Sequence, residues 1–398
     1  MSVQLESIAF NHDSLGHASD ALNIRRNEAT AVTVPEWQRG VSVQPEDSPA
    51  AYAIAAVQGH TPTIKAAFRR TSGEARCVHV RALDVKGRRG CLYAIIEALG
   101  LDRWLRPPPA SILGTVAKRE VCFDVNGLSG PVSFELPHHR LASSGVARDE
   151  VMWQWQYRDG GGAWQQMGFT SHEIFAVLDV PTAPWQQQPS GSANVQLPWA
   201  DALRHGCAWA AGSQSADAAT GTVTEAVYAL GGSLVEYDCP GGGSSHYSLG
   251  NFDLTAFLDR LSGGPGNGVY VNCSDCATFV STFANLVGGD VWQSRMGWGF
   301  NLNPLLAIGS SVWQTACNWG GFSYHEVAWK GACTANEHVF DACLQVDIDA
   351  HPTVAPHTGE LPRNMRFGNP GDGDYRDRLS PSGTCDPQPA SRQRRAVT

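Results

Sequence analysis

The sequence predicts an α+β protein in which a β-sandwich-like domain precedes a second domain of helices followed by strands. Three observations point to this class. The first half contains short runs of alternating apolar and polar residues, separated by Gly, Pro and Asp. A Pro- and Gln-rich segment interrupts this pattern, and helical periodicity follows it directly. The length of 398 residues fits about two or three domains.

The first half divides into an arm and a β-rich domain. Residues 1–30 are polar and have no clear period, so we expect a flexible arm there. Residues 31–180 carry the strand-like runs and are expected to form the sandwich-like domain. The sequence does not indicate what this domain does.

The clearest local unit of this domain is a tryptophan-rich segment near its end. Trp153, Trp155 and Tyr157 alternate with polar residues, and turn-forming residues follow at 159–162. The pattern predicts a β-hairpin or meander, with a return strand and then a third strand at 172–180. We expect the aromatic side chains to pack in a core, which is commoner than a carbohydrate-binding platform.

A composition change marks the boundary between the halves. Residues 181–199 are rich in Pro, Gln and Ser and are predicted to be a linker. Residues 200–350 begin with helical periods and end with strand patterns, which predicts a compact α+β domain. Residues 351–398 are rich in Pro, Gly, Asp and Arg, so we expect an irregular tail.

Composition excludes several function classes. A net charge of −9 and a pI near 5.8 argue against a nucleic-acid partner. No apolar run approaches the roughly 18 residues of a membrane span, so no membrane partner is expected. The N-terminus lacks the basic and apolar regions of a signal peptide, which favours the cytoplasm and leaves export without a cleaved signal open. The sequence does not predict an oligomeric state.

Eleven cysteines are scattered along the chain, and their odd number and wide spacing do not fit a small disulfide scaffold. We expect most to be free thiols. Cys273 and Cys276 stand at the predicted start of a helix that runs to about residue 287 and stops at two glycines. A helix N-terminus stabilises a thiolate, so either cysteine is a candidate nucleophile.

Two strand patterns follow and supply the partners that a nucleophilic thiol needs. His325 lies in the alternating run 320–331, and Asp341 lies in the middle of the run 337–347. If these strands are antiparallel neighbours, Asp341 comes beside His325. A cysteine–histidine pair needs a third group that holds the imidazole in one tautomer. Asp347 and Asp349 are alternative acids in the same region.

These segments together resemble the transglutaminase-like superfamily of papain-related cysteine peptidases and acyltransferases. The run Cys-Ser-Asp-Cys-Ala at 273–277, before a helix ending in Gly-Gly, is similar to its cysteine motif. HEVAW at 325–329 is similar to its histidine strand, and VFDACLQVD at 339–347 to its aspartate strand. The resemblance covers about residues 200–350 and implies a papain-like α+β catalytic domain.

The resemblance assigns roles within the motifs. Cys273 falls on the family's nucleophile, His325 on its base, and Asp341 on the residue that orients the histidine. Cys276 falls on a position that is usually aromatic or aliphatic, and the residue after the nucleophile is serine. These departures leave a disulfide or redox interplay between Cys273 and Cys276 open.

The implied reaction is acyl transfer from an amide bond of a protein or peptide substrate through a thioester, slightly favouring hydrolysis over transamidation. The backbone N–H of Cys273 would be one donor to the oxyanion, and Asn267, Asn272 and Tyr237 are candidates for the second. We expect no cofactor and no metal, since no calcium-binding loop of the EF-hand kind is present.

Three other hypotheses compete with this one. A cell-wall amidase of the NlpC type shares the thiol and histidine, but its Asp-Cys-Ser-Gly signature is here Asn-Cys-Ser-Asp. A degraded fold could serve as a non-catalytic binding module. A zinc site has no second CxxC or HxxxH pair. Its ligands would come from the set Cys273, Cys276, Cys317, His325, Cys333 and Cys343.

Overall fold

The computed structural model describes residues 1–12, 21–85, 110–185, 196–239, 242–243, 246–248, 250–314, 320–381 and 385–398. These residues contain more strand than helix. They divide into two compact units. Met1–Arg26 and Thr30–Val180 form the first unit, and Asn27–Ala29 joins the described residues from Pro181 onwards in the second.

The first unit is built from two sheets. Their strand orders are β2-β1-β4-β7 and β3-β9-β8-β5-β6, and only the β3–β9 pair among those described is parallel. The elements are β1 (Ser2–Ala9), β2 (Trp37–Gln38), β3 (Pro49–Ala53), α1 (Ile54–Val57), β4 (Thr63–Ser72), β5 (Cys77–Asp84), β6 (Val116–Cys122), β7 (Leu128–Glu135), α2 (Leu141–Ser144), β8 (Ala147–Arg158) and β9 (Gln165–Val177), with a 3₁₀ turn at Pro45–Asp47.

The two sheets share one apolar core. Alternation along β8 buries Trp153, Trp155 and Tyr157, as the period of two requires. The Trp155 ring meets Phe68 of β4 and Phe134 of β7 edge to face, with centroids 5.8 and 6.0 Å apart. Because β8 and β4 belong to different sheets, these contacts show that the sheets pack face to face within this unit.

Two sequence-based expectations fail in the first unit. The predicted flexible arm contains β1, which pairs antiparallel with β4 and buries Val3, Leu5 and Ile8. A bulge after Leu5 shifts the register, so the strand's apolar residues do not keep a simple period of two. The predicted return strand and third strand are one continuous strand, β9, which contains a bulge at Met167, next to Gly168 with its φ of +146°.

Cysteines in both units are cross-linked. Cys77 and Cys122 face each other on β5 and β6 and form a disulfide, and Cys239 of the second unit is also disulfide-bonded. Disulfides persist in oxidising compartments and are rare in the reducing cytosol. The cytoplasmic location that the N-terminus favours therefore stays a prediction. The described cysteines that are outside any disulfide are all buried, and they comprise Cys207, Cys273, Cys276, Cys333, Cys343 and Cys385.

The second unit is mixed. Its helices are α3 (Ala200–Trp209), α4 (Ala216–Tyr228), α5 (Leu254–Leu261), α6 (Cys273–Leu286) and α7 (Tyr375–Leu379). Its strands are β10 (Glu236–Tyr237), β11 (Tyr247–Ser248), β12 (Asn251–Phe252), β13 (Tyr270–Val271), β14 (Val291–Met296), β15 (Phe300–Asn301), β16 (Leu306–Ala307), β17 (Gly321–Phe322), β18 (His325–Lys330), β19 (His338–Phe340), β20 (Leu344–Asp347), β21 (Gly359–Glu360), β22 (Arg363–Arg366), β23 (Pro387–Gln393) and β24 (Ala396–Val397). None of the helices in the described parts of the chain is long and apolar enough to cross a membrane.

A central antiparallel sheet carries one buried helix. The strand order is β22-β19-β18-β14-β23, and α6 packs on β18 and β14 with α4 against it. All 14 residues of α6 are buried. Phe279 stacks on Phe257 of α5 at 4.0 Å, and Phe283 meets Trp209 of α3 at 4.6 Å. The helix that begins at Cys273 is therefore held from several sides.

The predicted irregular tail is wrong. Residues 351–398 supply β22 and β23, which form the two edges of the central sheet, and also α7 and β24. The sequences RNMR and PQPASRQ are polar because edge strands face solvent along one side and tolerate Pro, so they lack apolar alternation.

The predicted linker is only partly within the described residues, since 186–195 lie outside them. Its described ends pack in the second unit. Trp185 and Trp199 are buried with ring centroids 5.9 Å apart, and Trp185 Nε1 donates to the carbonyl of Thr282 at 2.8 Å. These described ends do not behave as a solvated linker.

Candidate active site

Cys273 occupies the first position of α6, and its local sequence explains why the helix begins there. Asn272 has an extended backbone, and its Oδ1 accepts from the Asp275 N–H at 3.1 Å. Asp275 Oδ2 in turn accepts from the Asn272 N–H at 3.1 Å, which completes a capping box. The Cys273 thiol therefore lies at the positive end of the helix, and this side chain is 6% exposed.

His325 begins β18 and is fully buried. Its Nε2 donates to Asp341 Oδ2 at 2.9 Å. The same carboxylate accepts from the Tyr375 hydroxyl at 2.8 Å and, through Oδ1, from the Cys343 N–H at 2.8 Å. Three donors thus hold Asp341 in place, so the imidazole receives a fixed orientation.

The alternating pattern predicted Asp341 in the middle of one strand, but Asp341 lies between two strands. β19 ends at Phe340 and β20 begins at Leu344, and the two strands belong to different sheets. The chain turns at Asp341, whose own N–H donates to the Pro362 carbonyl at 2.7 Å. The turn directs the carboxylate towards His325 in place of a simple cross-strand pair.

The second ring nitrogen of His325, Nδ1, is the one that remains for the Cys273 thiol, which interacts with this ring. Nδ1 is buried and has no hydrogen bond of standard geometry among the described residues. Burial alone lowers the pKa of His325, but the charge and hydrogen bond of Asp341, together with Cys273, outweigh it and raise this pKa to about 10. The ring is therefore protonated at neutral pH. Such thiol–imidazole contacts are often loose before substrate binds.

Aromatic rings enclose the histidine. Phe322 stacks on the His325 ring with centroids 5.4 Å apart and an angle of 15°, and Tyr237 lies against Phe322 at 6.4 Å. Burial, followed by the Asp341 charge, holds the pKa of Tyr375 well above its usual value, so Tyr375 remains a neutral donor. These rings keep water away from the bond between His325 and Asp341.

The structure separates the three candidates for a second oxyanion donor. The Asn272 amide is committed, since its Nδ2 donates to the Gly242 carbonyl at 3.1 Å while its oxygen caps α6. Asn267 Nδ2 donates to Asp253 Oδ2 at 3.0 Å in an exposed loop. Tyr237 is 8% exposed, and its pKa is raised by burial first and by Cys273 next. The Tyr237 hydroxyl is thus the candidate that shares the thiol's surroundings.

Cys276 and Cys343 form a second pair of thiols beside the site. The Cys276 thiol is hydrogen-bonded to Cys343, which lowers its pKa, but burial and Asp275 raise the pKa above its usual value. Burial raises the pKa of Cys343 strongly. Both remain protonated, and neither Cys273 nor Cys276 is in a disulfide.

The alternative acids and the zinc hypothesis find no support in this geometry. Asp347 binds His357 Nδ1 at 2.7 Å, and Asp349 accepts from the His351 N–H at 2.8 Å. Within the described ranges, the group with three possible metal-ligand atoms close together is Asp347, Asp349 and His357, which excludes Cys273. Cys317 lies outside the described residues.

Tyr375, Glu326 and Arg395 adjoin the site and were not singled out by the sequence. Tyr375 lies in the segment predicted to be irregular, and no motif marks it. A buried Glu326 directly after His325 was visible only as one face of an alternating strand. Arg395 has no signal in the sequence, because its partner lies 69 residues away.

Comparisons with known proteins find a structural likeness and no match to a family or a curated protein. No protein family matches the sequence, and no curated protein matches it. Among solved structures, the chain is similar to the transglutaminase of red sea bream, with a TM-score of 0.37 and 8% identity. The alignment covers 93% of this chain and 54% of that one, so the chain spans about half the length of the transglutaminase. A likeness at this level does not establish a family.

Proposed function

We propose that the protein is a cysteine-dependent acyl-transfer enzyme that acts on amide bonds of a protein or peptide, by hydrolysis in preference to transamidation. One observation carries the proposal. A thiol at the start of a buried helix interacts with a buried histidine. The far nitrogen of this histidine lies 2.9 Å from a buried carboxylate. We assign Cys273 as nucleophile, His325 as general acid and base, and Asp341 as the residue that orients His325.

Other buried histidines of the chain support this assignment by contrast. Burial lowers the pKa of His172 to about 3 and, as the main cause, that of His246 to about 4, as expected for core imidazoles. His325 is equally buried, yet its pKa rises to about 10, because Asp341 and Cys273 outweigh burial. A histidine that is only a packing residue does not need a buried counter-charge.

The reaction begins with attack on the carbonyl carbon by the Cys273 thiolate, whose proton is held on Nδ1 of the His325 ring. A C–S bond forms and the carbonyl oxygen becomes negative. The C–N bond then breaks as the leaving nitrogen takes the proton from Nδ1 of His325, which leaves a thioester. Water next attacks the thioester and gives its proton to His325, and the C–S bond breaks to restore the thiolate. Throughout, the Nε2–H of His325 keeps its bond to Asp341.

Two donors are proposed for the negative oxygen. The backbone N–H of Cys273 points out of the first turn of α6, where no helical carbonyl takes it up. The Tyr237 hydroxyl is the second donor, because it is protonated and lies near the thiol. A neutral phenol favours the oxyanion over the ground-state carbonyl, since its hydrogen bond strengthens as charge develops.

An open cavity next to Phe322, the residue that stacks on His325, suits an extended peptide. Its volume is about 420 Å³, and Gly299–Asn301 and Gly320–Ser323 line it. Phe322 belongs both to this wall and to the stack on His325. The lining consists of β15, β17 and their glycine-rich flanks, whose small residues leave room for a peptide in extended conformation. Hydrolysis is favoured because water needs no binding site, whereas an amine acceptor does.

The function is tested by incubating the protein with a mixed peptide library, with and without a primary amine, and weighing the products. New peptide ends indicate hydrolysis, and ammonia loss with amine addition indicates transamidation. Cleavage of cell-wall peptides alone would indicate an NlpC-type amidase. Cys273→Ala should abolish turnover, while Cys276→Ala, one helical turn away, should retain it. Turnover that survives Cys273→Ala contradicts the proposal.

Thiol labelling separates an enzyme from a binding module. We expect fast, pH-dependent alkylation of Cys273 that is lost in His325→Ala. His246→Ala is the matched control, since it removes another buried imidazole of the same unit, packed on Phe257 and Phe279. Labelling of Cys273 no faster than that of Cys276 would favour a non-catalytic module.

A further inference from the structure

A second pair of contacts lies directly beside the proposed thiol–imidazole pair. Ser274 follows Cys273 on α6, and Glu326 follows His325 on β18. The Ser274 hydroxyl donates to Glu326 Oε2, and both side chains are fully buried. Two successive residues of the helix therefore meet two successive residues of the strand.

The Glu326 carboxylate has a buried counter-charge. Arg395 Nη2 lies 3.1 Å from each of its two oxygens, and Arg395 is 3% exposed. Gln393 Nε2 donates to Oε1 at 3.3 Å, and Arg295 Nε lies 3.7 Å from Oε2. Arg395, in the segment after β23, therefore neutralises the charge of Glu326 on β18.

The guanidinium also reaches back to the helix. Arg395 Nη1 donates to Thr278 Oγ1 at 2.7 Å, and the Thr278 hydroxyl donates to the Ser274 carbonyl at 2.6 Å. The hydrogen bonds thereby form a closed circuit from Ser274 through Glu326, Arg395 and Thr278 back to Ser274. This circuit ties the first turn of α6 to the first residues of β18.

A buried ion pair is a poor device for stability alone, because the cost of desolvating two charges offsets most of their attraction. Its directional bonds do fix geometry. Apolar contacts between a helix and a sheet change little when the helix slides by a fraction of an ångström, whereas hydrogen bonds lengthen at once. Reaction at a thiol depends strongly on such small displacements.

We propose that Ser274, Glu326 and Arg395, called the clamp below, are positioning residues that set the distance between the Cys273 thiol and the His325 imidazole. The catalytic meaning of the clamp rests on the proposed function. The clamp does not touch the substrate. It acts through the chain neighbours of the nucleophile and the base.

The test compares Ser274→Ala with Ser281→Ala by the rate of Cys273 alkylation by iodoacetamide between pH 6 and 9. Ser281 is a matched control, because it is a buried serine of the same helix whose hydroxyl donates to the Thr278 carbonyl at 3.2 Å and accepts from Gln293 at 2.7 Å. Each variant loses a buried hydroxyl. We expect both melting temperatures to fall similarly, and the alkylation rate to fall about tenfold or more in Ser274→Ala alone.

A second variant tests the other end of the clamp. Arg395→Lys keeps the charge opposite Glu326 but cannot bond the carboxylate and Thr278 together, since an ammonium lacks the planar fork. We expect a folded protein with slowed alkylation of Cys273. Equal rates in Ser274→Ala and Ser281→Ala, or a wild-type rate in Arg395→Lys, would overturn the clamp.

A failure of the proposed function would change the alkylation rates of Cys273 in a different way. If wild-type protein and His325→Ala alkylate Cys273 at the same rate, no thiol–imidazole pair exists and the clamp falls with it. If these two differ while Ser274→Ala matches its control, the proposed function stands and the clamp alone is wrong.

Discussion

Replacing Asp341 by Asn removes the negative charge that keeps the His325 ring protonated, while the shape of the side chain is preserved. Asp341 Oδ2 lies 2.9 Å from Nε2 in a site that is closed to water. Burial, the largest influence on this ring, is then opposed by the weaker influence of Cys273. We therefore expect the pKa of His325 to fall from about 10 to below the usual 6.5, as in His172 and His246.

The contribution of the protonated His325 ring to stability follows from its shift in pKa. A rise in the pKa of His325 from 6.5 to about 10 corresponds to about 5 kcal/mol in favour of the protonated ring in the folded state. The folded pKa lies above the unfolded one. Its contribution to stability is therefore fully present below pH 6.5 and is lost as pH rises towards 10. Wild-type protein should lose several kcal/mol of unfolding free energy over this range, and Asp341→Asn should not.

The assay combines NMR titration of the His325 ring with urea unfolding at pH 6 and pH 9. Asp347→Asn is the matched control, because Asp347 is a buried aspartate of the same region that binds a different histidine, His357, at 2.7 Å. It should leave the titration of His325 unchanged. Alkylation of Cys273 should slow in Asp341→Asn, since a neutral ring no longer stabilises the thiolate.

One result would refute this reasoning. If the pKa of His325 is the same in Asp341→Asn and in wild-type protein, or shifts as much in Asp347→Asn, Asp341 is not the group that charges the ring. The assignment of Asp341 as the orienting residue would then fail as well.

Two further substitutions and one labelling experiment have distinct expected outcomes. Tyr237→Phe should lower turnover about 100-fold in steady-state kinetics and leave the alkylation rate of Cys273 unchanged, because alkylation forms no oxyanion. Equal losses of turnover and of alkylation rate would contradict this. Tyr375→Phe removes a hydroxyl that donates to Asp341 at 2.8 Å, and it should lower the free energy of unfolding, measured by urea titration, by about 1–3 kcal/mol. An unchanged free energy of unfolding would mean that the bond between Tyr375 and Asp341 contributes nothing to stability. Mass mapping after brief alkylation of native protein should find Cys273 modified and Cys276 unmodified, since they are 6% and 1% exposed; equal labelling would contradict it.

Local patterns predicted some elements and not the contacts between them. The start of α6 could be predicted because a cap, a helical run and terminal glycines occur in sequence order, and the structure has the helix at Cys273–Leu286. His325 and Asp341 were marked by strand patterns, and the structure brings both beside the thiol. Their catalytic roles stay predictions. The turn at Asp341 was missed because β19 and β20 are short, mostly buried and only three residues apart. Their apolar residues therefore read as one continuous strand in the sequence.

Long-range partners had no local signal. Tyr375 reaches Asp341 over 34 residues and Arg395 reaches Glu326 over 69. A sequence period shows which face of an element is apolar, but it does not show which later segment covers a polar group on that face. β1 was missed for a related reason, because the bulge after Leu5 breaks the period of two on which strand prediction depends.

The segment predicted to be irregular is part of the site for an electrostatic reason. Glu326 is fully buried on β18, and a buried carboxylate without a partner costs about 3–5 kcal/mol. Among the residues that the structure describes, Arg395 is the closest cation to it, at 3.1 Å, whereas Arg295 lies at 3.7 Å and is partly exposed. Because net stabilities are only about 5–15 kcal/mol, β18 can hold its glutamate in the core only when the C-terminal strands are in place. The geometry around His325 therefore depends on residues that share no motif with it.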